Sequence, residues 1–192
     1  GAVVGTQIPD HPKPSEITLA LNSLRKPIAN LDNVARILEH YSHWEAQVWL
    51  DSFRQRILTT YDCESPREWQ DTDYITLTLW IQRCIEGLEK ITRQNVTEAV
   101  QVVAMANQRD SLQEWLTQLS WDGEQRINLL FPSGFGAEYN DYTVAISRNF
   151  LISLVARGLD PGCQVDTLPN LEGDQGIGKS SGLRALIGPE WF

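Results

Sequence analysis

Toward the end of the 192-residue sequence, Gly173, Gly178, Lys179 and Ser180 fit the spacing G-x-x-x-x-G-K-[ST] at every fixed position, the pattern of a phosphate-binding loop. The chemistry requires that spacing. Glycines let the backbone curl so that the N–H groups of Gly173, Asp174, Gln175, Gly176, Ile177 and Gly178 converge on phosphate oxygens. Lys179 brings a point charge for the β- and γ-phosphates of a nucleotide, and the Ser180 hydroxyl, with Ser181 beside it, brings a ligand for Mg²⁺. A helix is expected from Lys179 to Leu186, and the partial positive charge at its N-terminus adds to the anion site. A nucleotide's phosphates and Mg²⁺ are therefore the expected ligands.

Other chemistry-bearing residues carry less. His40 and His43 stand three apart, yet no acidic or cysteine partner is placed to complete a metal site, so solvated or satisfied histidines are expected. Cys63, Cys84 and Cys163 are odd in number and lack any C-x-x-C pairing, which fits reduced thiols in a cytosolic setting. The net charge of -9 and pI of about 4.8 make the bulk surface repel nucleic acid. Seven Trp and a hydrophobic fraction of 42% argue for a packed globular chain. Core packing is expected for Trp121 and the other tryptophans, because no basic stripe flanks them as base-stacking would need. No apolar run is long enough to span a bilayer, and no N-terminal signal pattern is present.

The elements that must position the loop read as mainly helical with a small β element, followed by the first strand, loop and helix of an α/β nucleotide-binding fold. Residues 1–29, with Pro9, Pro12 and Pro14, read as a flexible linker or arm. Asn30 caps a helix carrying Leu31, Val34, Ile37, Leu38 and Tyr41. Residues 47–53 and 54–60 read as two short strands, with a helix over the same residues as the competing reading, and Cys63 to Pro66 as a loop. Asp71 is expected to cap a helix running to about Gly87, Thr92 the next, and Asp110 or Ser111 a third that buries Leu112, Trp115, Leu116 and Leu119. Those helices hold too little Arg and Lys for a DNA-recognition helix. Trp121-Asp122-Gly123 is a turn with Trp121 anchored in the core, and Pro132 to Gly136 is a second break. Asp141 to Leu159 is the most apolar helix, expected at the centre of a domain and ended by Pro161-Gly162. A helical pre-domain over 30–125 and the start of a nucleotide-binding domain over 126–192 follow. The entering strand is short, beginning near Asn170, since Pro169 cannot donate to a ladder.

Several separated motifs together resemble one family: Leu119-Ser120-Trp121-Asp122-Gly123-Glu124-Gln125-Arg126-Ile127, Val155-Ala156-Arg157, Pro161-Gly162-Cys163, the loop itself, and Glu190-Trp191-Phe192. In this order they resemble the virulence-associated protein E family, phage- and plasmid-type P-loop ATPases similar to superfamily 3 replicative helicases, over about Asn30 to Phe192. The resemblance implies an ATPase of AAA+ or helicase type, a ring-forming homo-oligomer acting on DNA in the replication of mobile elements, often with a primase-like module upstream. Asp174 departs from it, standing where the family often has Pro.

The expectation is thus the N-terminal part of an ATP-dependent, helicase-like replication protein, cytoplasmic and without membrane contact. The opening Gly-Ala-Val-Val reads as a piece cut from a longer protein. Hydrolysis needs a further acidic residue for Mg²⁺ and water, expected downstream of Phe192, so the catalytic residues are unassigned and this piece binds ATP weakly at most. Arg157, on the helix before the loop, reads as a surface or structural ion pair rather than a nucleotide contact. Two rivals remain: a P-loop kinase or phosphotransferase, and a helical protein-interaction or assembly platform for other replication proteins, with a non-functional loop.

Overall fold

The computed structural model describes residues 18–41 and 44–191. His43 and the proline-bearing residues Pro9, Pro12 and Pro14 lie outside the described residues. Two compact units divide at Asp110/Ser111, Gly1–Asp110 and Ser111–Phe192, a boundary that precedes the 125/126 division read from the sequence and groups the third expected helix with the second unit.

In the first unit, α1 (Leu31–His40) starts at Asn30, whose side chain accepts from the Asn33 N–H at 3.0 Å and so satisfies one free helix-end donor. Two strands follow, β1 (Val48–Asp51) and β2 (Arg56–Thr59), antiparallel with Trp49 opposite Leu58. The hairpin reading therefore holds, and the competing helix does not. Asp51 builds the turn, its Oδ1 accepting from the Phe53 and Arg54 N–H groups at 3.0 Å each. Two further strands exist only through pairing: β3 (Arg67–Glu68) lies beside β2, and after α2 (Asp71–Cys84) and α3 (Arg93–Ala106), β4 (Gln108–Arg109) lies parallel to β1. The sheet order among the described residues is β3-β2-β1-β4.

Thr92 caps α3 as expected, in a reciprocal pair with Asn95. The α2 cap is Gln70 and not Asp71: the Asp73 carboxylate accepts from the Gln70 N–H at 2.7 Å, while Asp71 sits in the first turn and pairs with Arg93 at 2.9 Å. The helix ends at Cys84, short of Gly87. Apolar positions from all three helices meet in one core, with Val34, Ile37 and Leu38 against Leu77 and Ile81 and against Val96, Val100 and Val103. Trp44 fills its aromatic end, stacked on Tyr61 at 4.0 Å between ring centroids and edge-on to Trp80 at 6.0 Å, an arrangement that adds to simple burial.

The linker reading fails for residues 18–29. Leu21 bridges to Pro27, and the buried Asn33 of α1 ties the segment down: its amide donates to the Ala20 and Ile28 carbonyls at 2.9 and 2.8 Å, and its Oδ1 accepts from the Ala20 N–H at 2.6 Å. One side chain thus bonds three main-chain groups of the segment, among them the Ala20 N–H; the Ala20 and Ile28 carbonyls also accept from the Ile28 and Asn30 N–H groups at 3.0 and 2.9 Å. His40 lies 3.7 Å from Glu39.

The second unit holds α4 (Ser111–Gln118), a π-helical turn (Leu130–Gly134), α5 (Asp141–Leu159) and α6 (Lys179–Ile187). Here three expectations are corrected. No residue of α4 is buried, Trp115 included, and Leu119 just beyond it is exposed. The α5 limits are as read, capped by Asn140 on the Thr143 N–H at 3.0 Å, but only Ser147 and Gly158 are buried, and Ile152, Val155 and Leu159 are exposed. Within the unit α5 is packed along limited stretches, so its apolar circumference stays partly bare. Residues 170–172 form no strand, because no neighbouring chain pairs with them among the described residues and a lone strand has no ladder to stabilise it. Across the described residues the fold is mainly helical with one small sheet, and no helix is long and apolar enough to cross a membrane.

Substituting Asn33 with Ala removes three hydrogen bonds at once and leaves the Ala20 N–H without its acceptor. We expect a loss of about 2–3 kcal/mol, read as a lower midpoint in urea with an unchanged slope. An unaltered midpoint contradicts the tethering role of Asn33.

Candidate phosphate-binding loop

The loop joins an extended segment to α6, and its shape rests on glycine. Gly173, Gly176 and Gly178 have φ of +149°, +88° and +92°, which L side chains rarely adopt. Gly178 is the residue that turns the chain into α6, where the Gly182 N–H donates to its carbonyl at 2.8 Å. Lys179, the first residue of the helix, folds back across the loop. Its ammonium donates to the Gly173 carbonyl at 2.7 Å and the Asp174 carbonyl at 3.0 Å, placing a positive charge at the loop mouth beside the N-terminus of a nine-residue helix. Ile177 closes one side; its Cδ1 lies 2.5 Å from where a Cβ on residue 173 would stand.

The loop residues from Gly173 to Gly178, together with Ser180 and Ser181, are exposed. Ser180 makes no side-chain hydrogen bond among the described residues and stands in the first turn of α6, so its hydroxyl is available to a cation carried by a bound phosphate. Ser180, Ser181, Arg184 and Pro189 line a concavity on the same helix. The sequence-read loop residues are thus brought together. Arg157 is not joined to them: it lines a separate cavity of about 290 Å³ with Phe150, Leu154, Val165 and Leu168, and forms no ion pair among the described residues, contrary to the expected one.

What holds α6 in place is a contact invisible to motif reading. The Phe131 N–H donates to the buried Ser147 Oγ of α5 at 3.1 Å, and that hydroxyl donates to the Thr143 carbonyl at 2.7 Å. This anchors the π-helical turn on α5, and Phe131 meets Phe135 and Phe150, each at 5.7 Å between centroids. Phe135 then packs against α6, its Cε1 only 2.8 Å from where a Cβ on Gly182 would be. Irregular π-turns of this kind often sit beside functional sites. At the other end, Gly158 admits Leu116 of α4 equally closely, and Trp115 meets Trp191 at 5.9 Å. The signal available in the sequence was glycine inside two helices, where it costs about 1 kcal/mol against Ala and so marks a close approach.

The Trp-Asp-Gly turn is also a built structure, though not a core anchor. Asp122 accepts from the Glu124 N–H at 3.0 Å and from Arg126 at 2.9 and 2.8 Å, which holds its carboxyl below the usual carboxylate range, the backbone bond first and the guanidinium second. Trp121 is 76% exposed and donates from Nε1 to the Glu124 carbonyl at 3.1 Å. Its indole belongs to the turn, so the burial expected of it is corrected.

A methyl group at residue 182 must displace the Phe135 ring. Gly182→Ala is expected to cost about 1–2 kcal/mol in spite of its better helix propensity, and adding Phe135→Leu should recover part of the loss; chemical denaturation with hydrogen exchange on α6 reads both. A gain in stability from Gly182→Ala alone contradicts the close packing.

Comparison with known proteins bears on this region directly. Residues 116–192, from the last turn of α4 through the loop and α6, match the Virulence-associated protein E-like domain, a narrower span than the one from Asn30 that the motifs implied. No curated protein matches the chain. The glycine loop, the Trp-Asp-Gly turn and the helix between them all fall inside the matched residues, so over 116–192 the chain is similar to the Virulence-associated protein E-like domain.

Proposed function

We propose that Gly173–Ser181 binds the phosphates of ATP and that the chain belongs to an ATP-dependent, DNA helicase-like replication protein of a phage, plasmid or integrated mobile element. The observation that carries the reading is Lys179: a glycine loop of the required spacing holds its ammonium at 2.7 and 3.0 Å from two loop carbonyls, at the N-terminus of α6. The main-chain N–H groups of the loop bind phosphate oxygens, Lys179 exchanges its carbonyl partners for the β- and γ-oxygens, and Ser180 holds Mg²⁺. When bound, Mg²⁺ neutralises charge on the terminal phosphates. Positioning and charge are the loop's share; aiming a water for hydrolysis needs a carboxylate and, in ring assemblies, an arginine from a neighbour. DNA and other copies of the chain are partners under this reading.

A second reading concerns the first unit. It has its own core, and Ile75 and Leu79, one turn apart on α2, are exposed, as are Val102 and Met105 on α3. These apolar positions on an acidic surface favour a protein-binding platform, a role compatible with the first.

Exposure of the whole loop favours weak binding, with a Kd of roughly 10⁻⁴ M or above. NMR titration with MgATP should shift the amides of residues 173–181, and Lys179→Ala should abolish those shifts. Micromolar affinity contradicts the weak-binding expectation; shifts unchanged in Lys179→Ala remove Lys179 from the site.

A further inference from the structure

We infer that Asp174 makes this loop discriminate by ligand charge, favouring nucleotide already complexed with Mg²⁺ over the free polyphosphate. The inference rests on the reading of the loop as an ATP site. Between Pro169 and Ser181 the charged side chains are Glu172, Asp174 and Lys179, so a loop shaped for anions carries a net negative charge. The two carboxylates are not equivalent. Glu172 is turned back along the chain, its Oε1 accepting from Asn170 Nδ2 at 3.1 Å. The Asp174 carboxylate is exposed and has no hydrogen bond or ion pair among the described residues.

Lys179 does not neutralise it. The ammonium bonds the main-chain oxygens of Gly173 and Asp174, and no ion pair forms with either carboxylate. Because Lys179 holds the Asp174 carbonyl at 3.0 Å, the Asp174 side chain is tethered within roughly 4–8 Å of that charge, and of any phosphate that replaces the carbonyls. At such distances a unit charge in near-aqueous surroundings changes binding about threefold per unit of ligand charge, less with salt screening. Free ATP brings about two more negative charges to the loop than its Mg²⁺ complex, so the carboxylate acts more strongly against the free form. Lys179 and the N–H groups supply the attraction; Asp174 sets which charge state is accepted.

The experiment compares Asp174→Asn, Asp174→Glu and Lys179→Ala with the unaltered full chain, titrating ATP in excess Mg²⁺ and again in EDTA. Asp174→Asn should tighten Mg-free ATP about 3–10-fold more than it tightens MgATP. Asp174→Glu, which keeps the charge, should preserve the original preference. Equal gains in both conditions, or no gain, overturn the inference while leaving the site intact, provided Lys179→Ala still loses binding. Weakened MgATP binding in Asp174→Asn also overturns it, by making Asp174 a favourable contact. No binding by any form, with or without Mg²⁺, removes the ATP site itself and the inference with it.

Discussion

The Phe135 ring occupies the space a side chain on residue 182 would need, and the position of the Gly173–Gly178 loop depends on that contact. It fixes α6 against the π-helical turn, the turn is fixed to α5 through Ser147, and Lys179 is the first residue of the helix so placed. The loop has little other support. Its glycines take conformations closed to other residues, its side chains are mostly in solvent, and among the described residues the side chain that ties its backbone is Lys179, reaching from the first turn of α6 to Gly173 and Asp174. A loop tethered by one charge responds to whatever anion competes for that charge, which is the property phosphate binding requires.

The two units are stabilised differently. Gly1–Asp110 has helices from three segments converging on one apolar core with Trp44, Trp69 and Trp80 at one end. Ser111–Phe192 buries Phe131 and leaves Ile152, Val155, Leu159 and Leu168 exposed. Its order comes from specific close contacts, at Ser147, Gly158 and Gly182, more than from apolar area removed from water. Local opening therefore costs less in the second unit, and that is the region holding the loop.

Features written locally in the chain were legible in the sequence. Asn30, Thr92 and Asn140 cap helices because their side chains reach a main-chain N–H three residues on, and the loop spacing stands complete within a few residues. Features that depend on distant partners were not. Two-residue strands β3 and β4 exist only because β2 and β1 lie beside them. The Gln70 cap, made by Asp73 three residues on, is local and was missed all the same, because Asp71 is the commoner capping residue. Residues 18–29 are ordered by Asn33, a side chain that periodicity assigns merely to a helix. Conversely, Trp121, Trp115 and the apolar side chains of α5 satisfy every compositional rule for a core, yet composition cannot say what covers them; Trp121 spends its polar end on a turn of its own. The loop's residues were all legible, whereas Phe135, which seats it, was hidden in a Pro-Gly-rich break.

The central claim is that the Gly173–Ser181 backbone is a phosphate cradle held by Lys179. Hydrogen–deuterium exchange of the full chain with and without saturating MgATP tests it most directly. The account predicts slowed exchange at amides 174–181 and in the first turn of α6, absent in Lys179→Ala. Unchanged exchange across the loop, or protection confined to other segments, would contradict it.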